Sequence, residues 1–131
     1  MSNVDTARAA YEAFGKGDMD TLREMFADDA EWLTSDELPE GGLNSGRDAI
    51  MENFSRLPDY WSDFSVEPEE FIDAGDDVVV RGTQRATGEG GSFEAPFLHL
   101  MRFRDGEITR GEFHSDSAKA VKALGSKAAA V

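Results

Sequence analysis

Residues 97–116 read "FLHLMRFRDGEITRGEFHSD", and this stretch decides the fold because it predicts a β-hairpin. Strand-forming residues stand on both sides of Asp105-Gly106, a dipeptide that is common in hairpin turns. The stretch also contains both histidines of the chain, His99 and His114. The register of the two strands therefore determines whether the histidines share one site.

Two registers are open. A two-residue loop, Asp105-Gly106, would pair His99 with Glu112. His99, Glu112, His114 and Asp116 would then share one face and form an acid/base or metal cluster.

A three-residue loop over 104–106, with a glycine in the left-handed bulge position, gives the other register. His99 would then lie among apolar side chains such as Met101 and Phe113, while Glu112 and His114 would point to the opposite face. We favour this register because a buried cluster of charged groups carries a heavy desolvation cost.

The preceding chain predicts helices first and strands afterwards. Helical spacing predicts helices over 4–14, 19–29 and 47–57, with Asp18 capping the second, Ser45 or Asn44 near the start of the third, and Pro58 stopping it. Strands are expected over 30–37, 63–75, 76–87, 93–103 and 107–115, and a last helix over 117–124. This order is typical of an α+β fold. We expect one domain over 1–131, with a core at about 4–124 and a loose tail over 125–131.

The composition excludes several classes of protein. Without cysteine, the chain has no disulfide, zinc-thiolate site or thiol nucleophile. The net charge of −14 argues against binding to nucleic acid or anionic membranes, and it is compatible with a solubility or salt-adapted surface. No signal-peptide pattern is present and no apolar run approaches about 20 residues, so a cytoplasmic protein is expected.

The motifs resemble those of the SnoaL-like branch of the nuclear transport factor 2-like superfamily, which also includes ketosteroid isomerase, scytalone dehydratase and limonene epoxide hydrolase. The resemblance is carried by "AFGKGDMDTLREMFADDAEW" (13–32), "SGRDAI" (45–50) with Phe54, "HLMRFRDGEIT" (99–109) and "EFHSD" (112–116). It implies an α+β fold in which a cone-shaped, curved antiparallel sheet wraps around three N-terminal helices (a cystatin-like fold). It also implies an apolar pocket and a homodimer formed through the outer sheet face.

Catalytic residues follow from the resemblance only in part. The tyrosine and base positions of ketosteroid isomerase correspond to Ala10 and Thr34, so Tyr11 and Asp36 are the nearest substitutes. Asp36 would share the face of Thr34 if the strand continued. The position of its protonated acid corresponds to His99, an imidazole able to donate or accept a proton. The catalytic aspartate of SnoaL-type cyclases corresponds to Phe113, which cannot replace it.

We therefore expect a pocket for a small hydrophobic molecule, with His99, Asp36 and Tyr11 as candidate catalytic residues. The candidate substrate-binding residues are Phe14, Trp32, Thr34, Phe54, Tyr60, Trp61, Phe97, Met101 and Phe113. Either the protein is a cofactor-independent isomerase, cyclase or dehydratase that uses proton transfer, or it is a non-catalytic ligand-binding or accessory domain. No cofactor is expected, and no metal, because His114 and Asp116 would supply only two ligands.

Overall fold

The computed structural model describes residues 2–130 and has helices at one side of a six-stranded sheet. The helices are α1 (Asn3–Lys16), α2 (Met19–Met25), α3 (Arg47–Ser55), α4 (Leu57–Tyr60) and α5 (Ser117–Leu124). The strands are β1 (Phe26–Thr34), β2 (Gly42–Ser45), β3 (Asp63–Ala74), β4 (Asp77–Gly88), β5 (Gly91–Arg104) and β6 (Glu107–His114). The predicted α+β class is confirmed.

The sheet is curved and unclosed, with strand order β2-β1-β6-β5-β4-β3. Neighbouring strands are antiparallel except β1 and β6, which pair in parallel. An all-antiparallel sheet was expected. A parallel pair requires a long connection between its strands, and α3, α4 and the β3–β5 meander supply it.

The central strands are buried on one face only. Along β5, Phe97, His99, Met101 and Phe103 are buried, whereas Leu98 keeps 51% of its surface exposed. Successive strand side chains point to opposite faces, so the buried set faces the helices. The main core lies between this inner face and α1, α2 and α3.

Local capping groups set the boundary between the first two helices, and Asp18 acts as predicted. Gly17 ends α1 in the left-handed conformation (φ 72°), which glycine adopts without steric cost. Asp18 then caps α2, its side chain accepting a hydrogen bond from the backbone N–H of Thr21 at 3.3 Å.

The third helix begins at Arg47 as predicted but ends earlier. Gly46 precedes its first residue and supplies no side-chain cap. The helix ends at Ser55, and Pro58 lies in the first turn of α4 rather than stopping α3. Proline is compatible with a first helical turn because the N–H that it lacks would have no partner there.

The hairpin combines features of both predicted registers. Asp105 and Gly106 both have positive φ and form a two-residue turn, with Arg104 paired to Glu107. Between Phe103–Ile108 and Arg102–Arg110 the register shifts by one residue, and Thr109 is the extra residue of a β-bulge.

This bulge brings His99 opposite Phe113, as the favoured face assignment requires. The prediction of a three-residue loop was wrong. That loop would have placed Ile108 on the outer face of the sheet, whereas Ile108 is fully buried on the inner face.

The C-terminal segment contacts the rest of the fold through side-chain hydrogen bonds. Residues Gly125–Ala130 form a 3-10 helix, and the Ser126 hydroxyl donates to the Glu89 carboxylate at 2.7 Å. Lys127 Nζ donates to the Asp59 carbonyl at 2.8 Å. Val131 lies outside the described residues. None of the described helices is long and apolar enough to span a membrane.

Candidate functional site

A cavity of about 410 Å³ opens between the helices and the inner face of the sheet. Its wall is mostly aromatic and aliphatic, with a few polar groups, a composition typical of small-molecule sites. The aromatic part of the wall consists of Tyr11, Phe14, Phe26, Trp32, Phe54, Trp61, Phe64 and Phe113.

His99 and Tyr11 form a hydrogen-bonded pair in this wall. The Tyr11 hydroxyl lies 2.7 Å from His99 Nδ1, across α1 and β5. Only 4% of His99 is exposed. Loss of hydration lowers the pKa of His99 to about 3, with a smaller contribution from His114, so the imidazole is neutral at ordinary pH. Burial likewise raises the pKa of the Tyr11 hydroxyl, which keeps its proton.

The other imidazole nitrogen, His99 Nε2, is buried and has no hydrogen-bond partner among the described residues. The Trp32 ring packs edge-on against the imidazole, with 4.9 Å between the ring centroids. The centroid of the Phe113 ring lies 5.7 Å from that of the imidazole. Gly111 makes this arrangement possible, because a Cβ at this position would overlap the Trp32 ring and lie 3.3 Å from His99 Nε2. Buried polar atoms rarely lack a partner, so Nε2 is suited to a polar atom of a ligand or water.

Most of the predicted binding residues line the cavity together with His99 and Tyr11. They are Phe14, Trp32, Thr34, Phe54, Trp61, Met101 and Phe113.

Two predicted binding residues lie elsewhere. Phe97 is a core residue, 1% exposed and stacked on Phe113 at 5.0 Å. Tyr60 packs against a second apolar cluster around Trp61. Both are large apolar side chains that the sequence pattern alone cannot separate from wall residues.

Asp36 does not reach the cavity, contrary to the prediction. It was expected on the face of Thr34 if the strand continued, but β1 ends at Thr34 and the chain turns. Asp36 is exposed in that turn. The turn is tight, because a Cβ at Gly41 would overlap the Ser35 carbonyl oxygen.

Glu40, at the end of the same turn, lines the cavity although the sequence pattern did not predict it. Its Oε1 accepts a hydrogen bond from Trp61 Nε1 at 3.2 Å, and its Oε2 is buried without a protein partner. Burial raises the pKa of this carboxyl group, and hydrogen bonds from the backbone of Glu40 itself and from Trp61 partly offset the effect. Nothing in "LPEGG" distinguishes Glu40 from a solvated loop glutamate.

Gln84 was also missed, although strand alternation could have indicated it. It lies on the inner face of β4, is 6% exposed and contributes to the cavity wall. Its neighbours on that face, Val80 and Ala86, are buried too, and a polar residue in such a series is a binding candidate.

The outer face of β6 holds the charged groups that the favoured register placed there. Arg110 donates to Glu112 at 2.9 Å and to Glu31 at 3.0 Å, and His114 Nε2 lies 3.6 Å from Glu112. His114, whose side chain is 63% exposed at the end of β6, also borders the cavity, whereas His99 is buried in its wall. Within residues 2–130 no group of three His, Asp or Glu side chains is placed to hold a metal ion.

Residues 7–111 match the family model described as the SnoaL-like domain. No curated protein matches the sequence.

Solved structures match over nearly the whole chain. A nuclear transport factor 2-like protein of unknown function from Burkholderia pseudomallei K96243 is 31% identical, with a TM-score of 0.89, covering 96% of this chain and 100% of its own. TerC, co-crystallised with polyporic acid, is 29% identical, with a TM-score of 0.86 and coverage of 95% and 98%. A candidate SnoaL-like polyketide cyclase from Jannaschia sp. CCS1 is 17% identical, with a TM-score of 0.81 and coverage of 95% and 92%; this last likeness concerns the fold alone.

Proposed function

The chain belongs to the SnoaL-like domain family, and on that premise we propose that its cavity binds a small hydrophobic molecule through an oxygen atom held by His99. One observation carries the proposal: His99 Nε2 is a buried polar atom without a protein partner in an otherwise aromatic wall. An apolar ligand with one carbonyl or similar oxygen satisfies both the wall and the nitrogen.

The partner of Nδ1 determines what Nε2 offers. Tyr11 keeps its proton and lies 2.7 Å from Nδ1, so we assign the hydroxyl as donor and Nδ1 as acceptor. A neutral imidazole carries one proton, which then resides on Nε2 and points a donor at the ligand oxygen. With a pKa of about 3, His99 holds and polarises that oxygen rather than gaining and losing a proton itself.

Two functions are compatible with such a donor. In an isomerase, cyclase or dehydratase, a neutral imidazole polarises a carbonyl group, as the neutral histidine of triosephosphate isomerase does. In a ligand-binding or accessory domain, the same hydrogen bond only orients the molecule. Phe113, at the position of the cyclase aspartate, favours the second function, whereas the buried carboxyl of Glu40 favours the first.

Polyporic acid is the first probe, because TerC was crystallised with it. Quenching of Trp32 and Trp61 fluorescence should report its binding, since both rings line the cavity. His99→Phe should weaken binding about tenfold, the loss of roughly one hydrogen bond. His99→Gln, whose amide can still donate, should restore most of the affinity.

Equal affinity in the parent protein and His99→Phe would contradict the proposal, and so would an absence of binding to the parent. Recovery of the compound unchanged after incubation supports the binding alternative. Conversion that is lost in His99→Phe supports an enzyme.

We also propose a homodimer formed through the outer sheet face. Leu98 lies on that face with half its surface exposed, between Arg81 of β4 and His114 of β6 in the sheet register. An exposed leucine among polar neighbours on a broad sheet fits the centre of an isologous interface.

A further inference from the structure

Glu40 is held in one orientation by residues of two other elements. Trp61, directly after α4, donates to its Oε1, and Asn53 of α3 donates through Nδ2 to its backbone carbonyl at 2.7 Å. The second carboxyl oxygen, Oε2, remains buried and unpartnered in the cavity wall. The side chain is therefore positioned, and one of its oxygens is left for a ligand.

The fold gains no stability from an anion at this position. Among the residues that the structure describes, no lysine or arginine forms an ion pair with Glu40, and a carboxylate without a cation is costly to bury. Burial raises its pKa above the usual value for glutamate. A buried, perturbed carboxyl in a cleft is a candidate for a functional role.

Two further unpartnered polar atoms share this wall. They are His99 Nε2 and the hydroxyl oxygen of Thr34, the last residue of β1 before the turn that carries Glu40. The cavity thus combines one acceptor, one donor and one hydroxyl against an aromatic background. This set matches a molecule that loses a proton from carbon while negative charge develops on oxygen.

We propose that Glu40 is the general base of the cavity, its Oε2 removing a proton from a C–H group of a ligand whose oxygen is held by His99. This inference rests on the proposed ligand site. The carboxylate gains the proton, and the C–H electron pair becomes a carbon–carbon double bond to the neighbouring carbonyl carbon. The carbonyl electron pair moves to oxygen, where the His99 N–H stabilises the enolate. Glu40 then returns the proton to carbon.

Kemp elimination of a nitrobenzisoxazole tests this step without knowledge of the natural ligand. In that reaction a base removes the ring C–H proton, the electron pair forms the nitrile, and the N–O bond breaks to leave a coloured phenolate. No other reactant is needed. An aromatic substrate of this size fits an aromatic-walled cavity of about 410 Å³.

Glu40→Gln should lower the elimination rate at least about 100-fold, the usual contribution of a positioned base. The substitution keeps the shape of the side chain and an amide oxygen that can still accept from Trp61 Nε1, but it removes the basic oxygen. Glu37→Gln is the matched control, because Glu37 lies exposed on the same turn outside the cavity wall; it should retain the parent rate. Equal rates in the parent and Glu40→Gln, including no elimination above buffer in either, would overturn the inference.

The pH profile separates a base from a merely structural residue. The rate should rise with pH through the raised pKa of Glu40, and Trp61→Phe should move that rise to higher pH, because the Trp61 bond lowers this pKa. The other titratable groups of the wall are Tyr11, His99, His114 and Asp116. Asp116 caps α5, and His114 contacts Glu112 on the outer face. An unchanged profile in Trp61→Phe would count against Glu40 as the titrating group.

Failure of the inference and failure of the proposed function are distinguishable. If His99→Phe weakens polyporic acid binding but Glu40→Gln catalyses the Kemp elimination at the parent rate, the ligand site is supported and the assignment of Glu40 as the base is refuted. If the parent binds no polyporic acid, the proposed function falls whatever the elimination rates are.

Discussion

At the scale of single residues, the unusual feature is a histidine that the fold keeps neutral. Its ring lies among Trp32, Phe113 and Tyr11, and no carboxylate among the described residues offsets the loss of hydration. Desolvation therefore acts without compensation, and a proton on His99 is disfavoured. With its proton assigned to Nε2, the neutral ring is a fixed hydrogen-bond donor, which suits the recognition of a neutral carbonyl oxygen better than proton shuttling.

The depressed pKa of His99 makes stability depend on pH. Its pKa is about 3 in the folded chain against about 6.5 when unfolded, so the unfolded state binds more protons between these values. The contribution of His99 to the free energy of unfolding is fully present above pH ~6.5 and is lost as the pH falls toward ~3. The slope approaches ~1.4 kcal/mol per pH unit. Urea unfolding between about pH 6.5 and 5 should therefore give a flatter profile for His99→Gln than for the parent. The profile of His114→Gln, in which the exposed histidine is replaced, should keep the slope that His99 contributes.

Removing the Tyr11 hydroxyl should cost stability even though an apolar ring remains. Tyr11→Phe leaves His99 Nδ1 buried without its 2.7 Å partner, which costs about 1–3 kcal/mol. Chemical denaturation at pH 7 measures the loss. Tyr60→Phe makes the same chemical change outside the cavity wall and should stay within about 0.5 kcal/mol of the parent. Equal effects of the two substitutions would refute the Tyr11–His99 bond.

At the scale of elements, strand β6 shows how one irregular residue decides a site. The turn Asp105-Gly106 alone would pair His99 with Glu112, and the bulge at Thr109 moves the partner to Phe113. The Asp-Gly signal predicts the hairpin but not the bulge, because Thr109 looks like any strand residue. Avoidance of buried charge nevertheless predicted the correct faces for His99, Glu112 and His114.

The close contact between β6 and the cavity wall can be tested at Gly111. In Gly111→Ala the new Cβ would overlap the Trp32 ring, so the ring must shift, at a cost of about 1–3 kcal/mol for overpacking. The shift should also change the emission of Trp32. The matched control is Gly15→Ala in α1, where the new Cβ has open space; it should stabilise the protein by about 0.5–1 kcal/mol. A Gly111→Ala protein with parent stability and emission would contradict the described packing.

At the scale of the whole molecule, the proposed dimer makes a prediction about the outer sheet face. Leu98→Asp should raise the dimer dissociation constant at least tenfold, about 1.4 kcal/mol, because it replaces the apolar side chain at the centre of the proposed interface by a charge. Sedimentation equilibrium measures the change. Leu43→Asp alters an equally exposed leucine on β2, at one edge of the sheet, and should leave association unchanged. A monomeric parent, or equal effects of both substitutions, would exclude this interface.

The sequence by itself determined the α+β fold, the helix boundaries at Gly17 and Asp18, and the inward face of His99. These features depend on local chemistry, namely capping groups, strand alternation and the cost of burying charge. Residues close together in the sequence are enough to predict them. Only the tertiary structure decided that Tyr11 reaches His99, that Asp36 is exposed and that Glu40 enters the cavity wall. Those outcomes depend on where β1 ends, on a bulge in β6 and on contacts between residues far apart in the chain. Because such contacts form only when the elements pack together, no short stretch of sequence contains them.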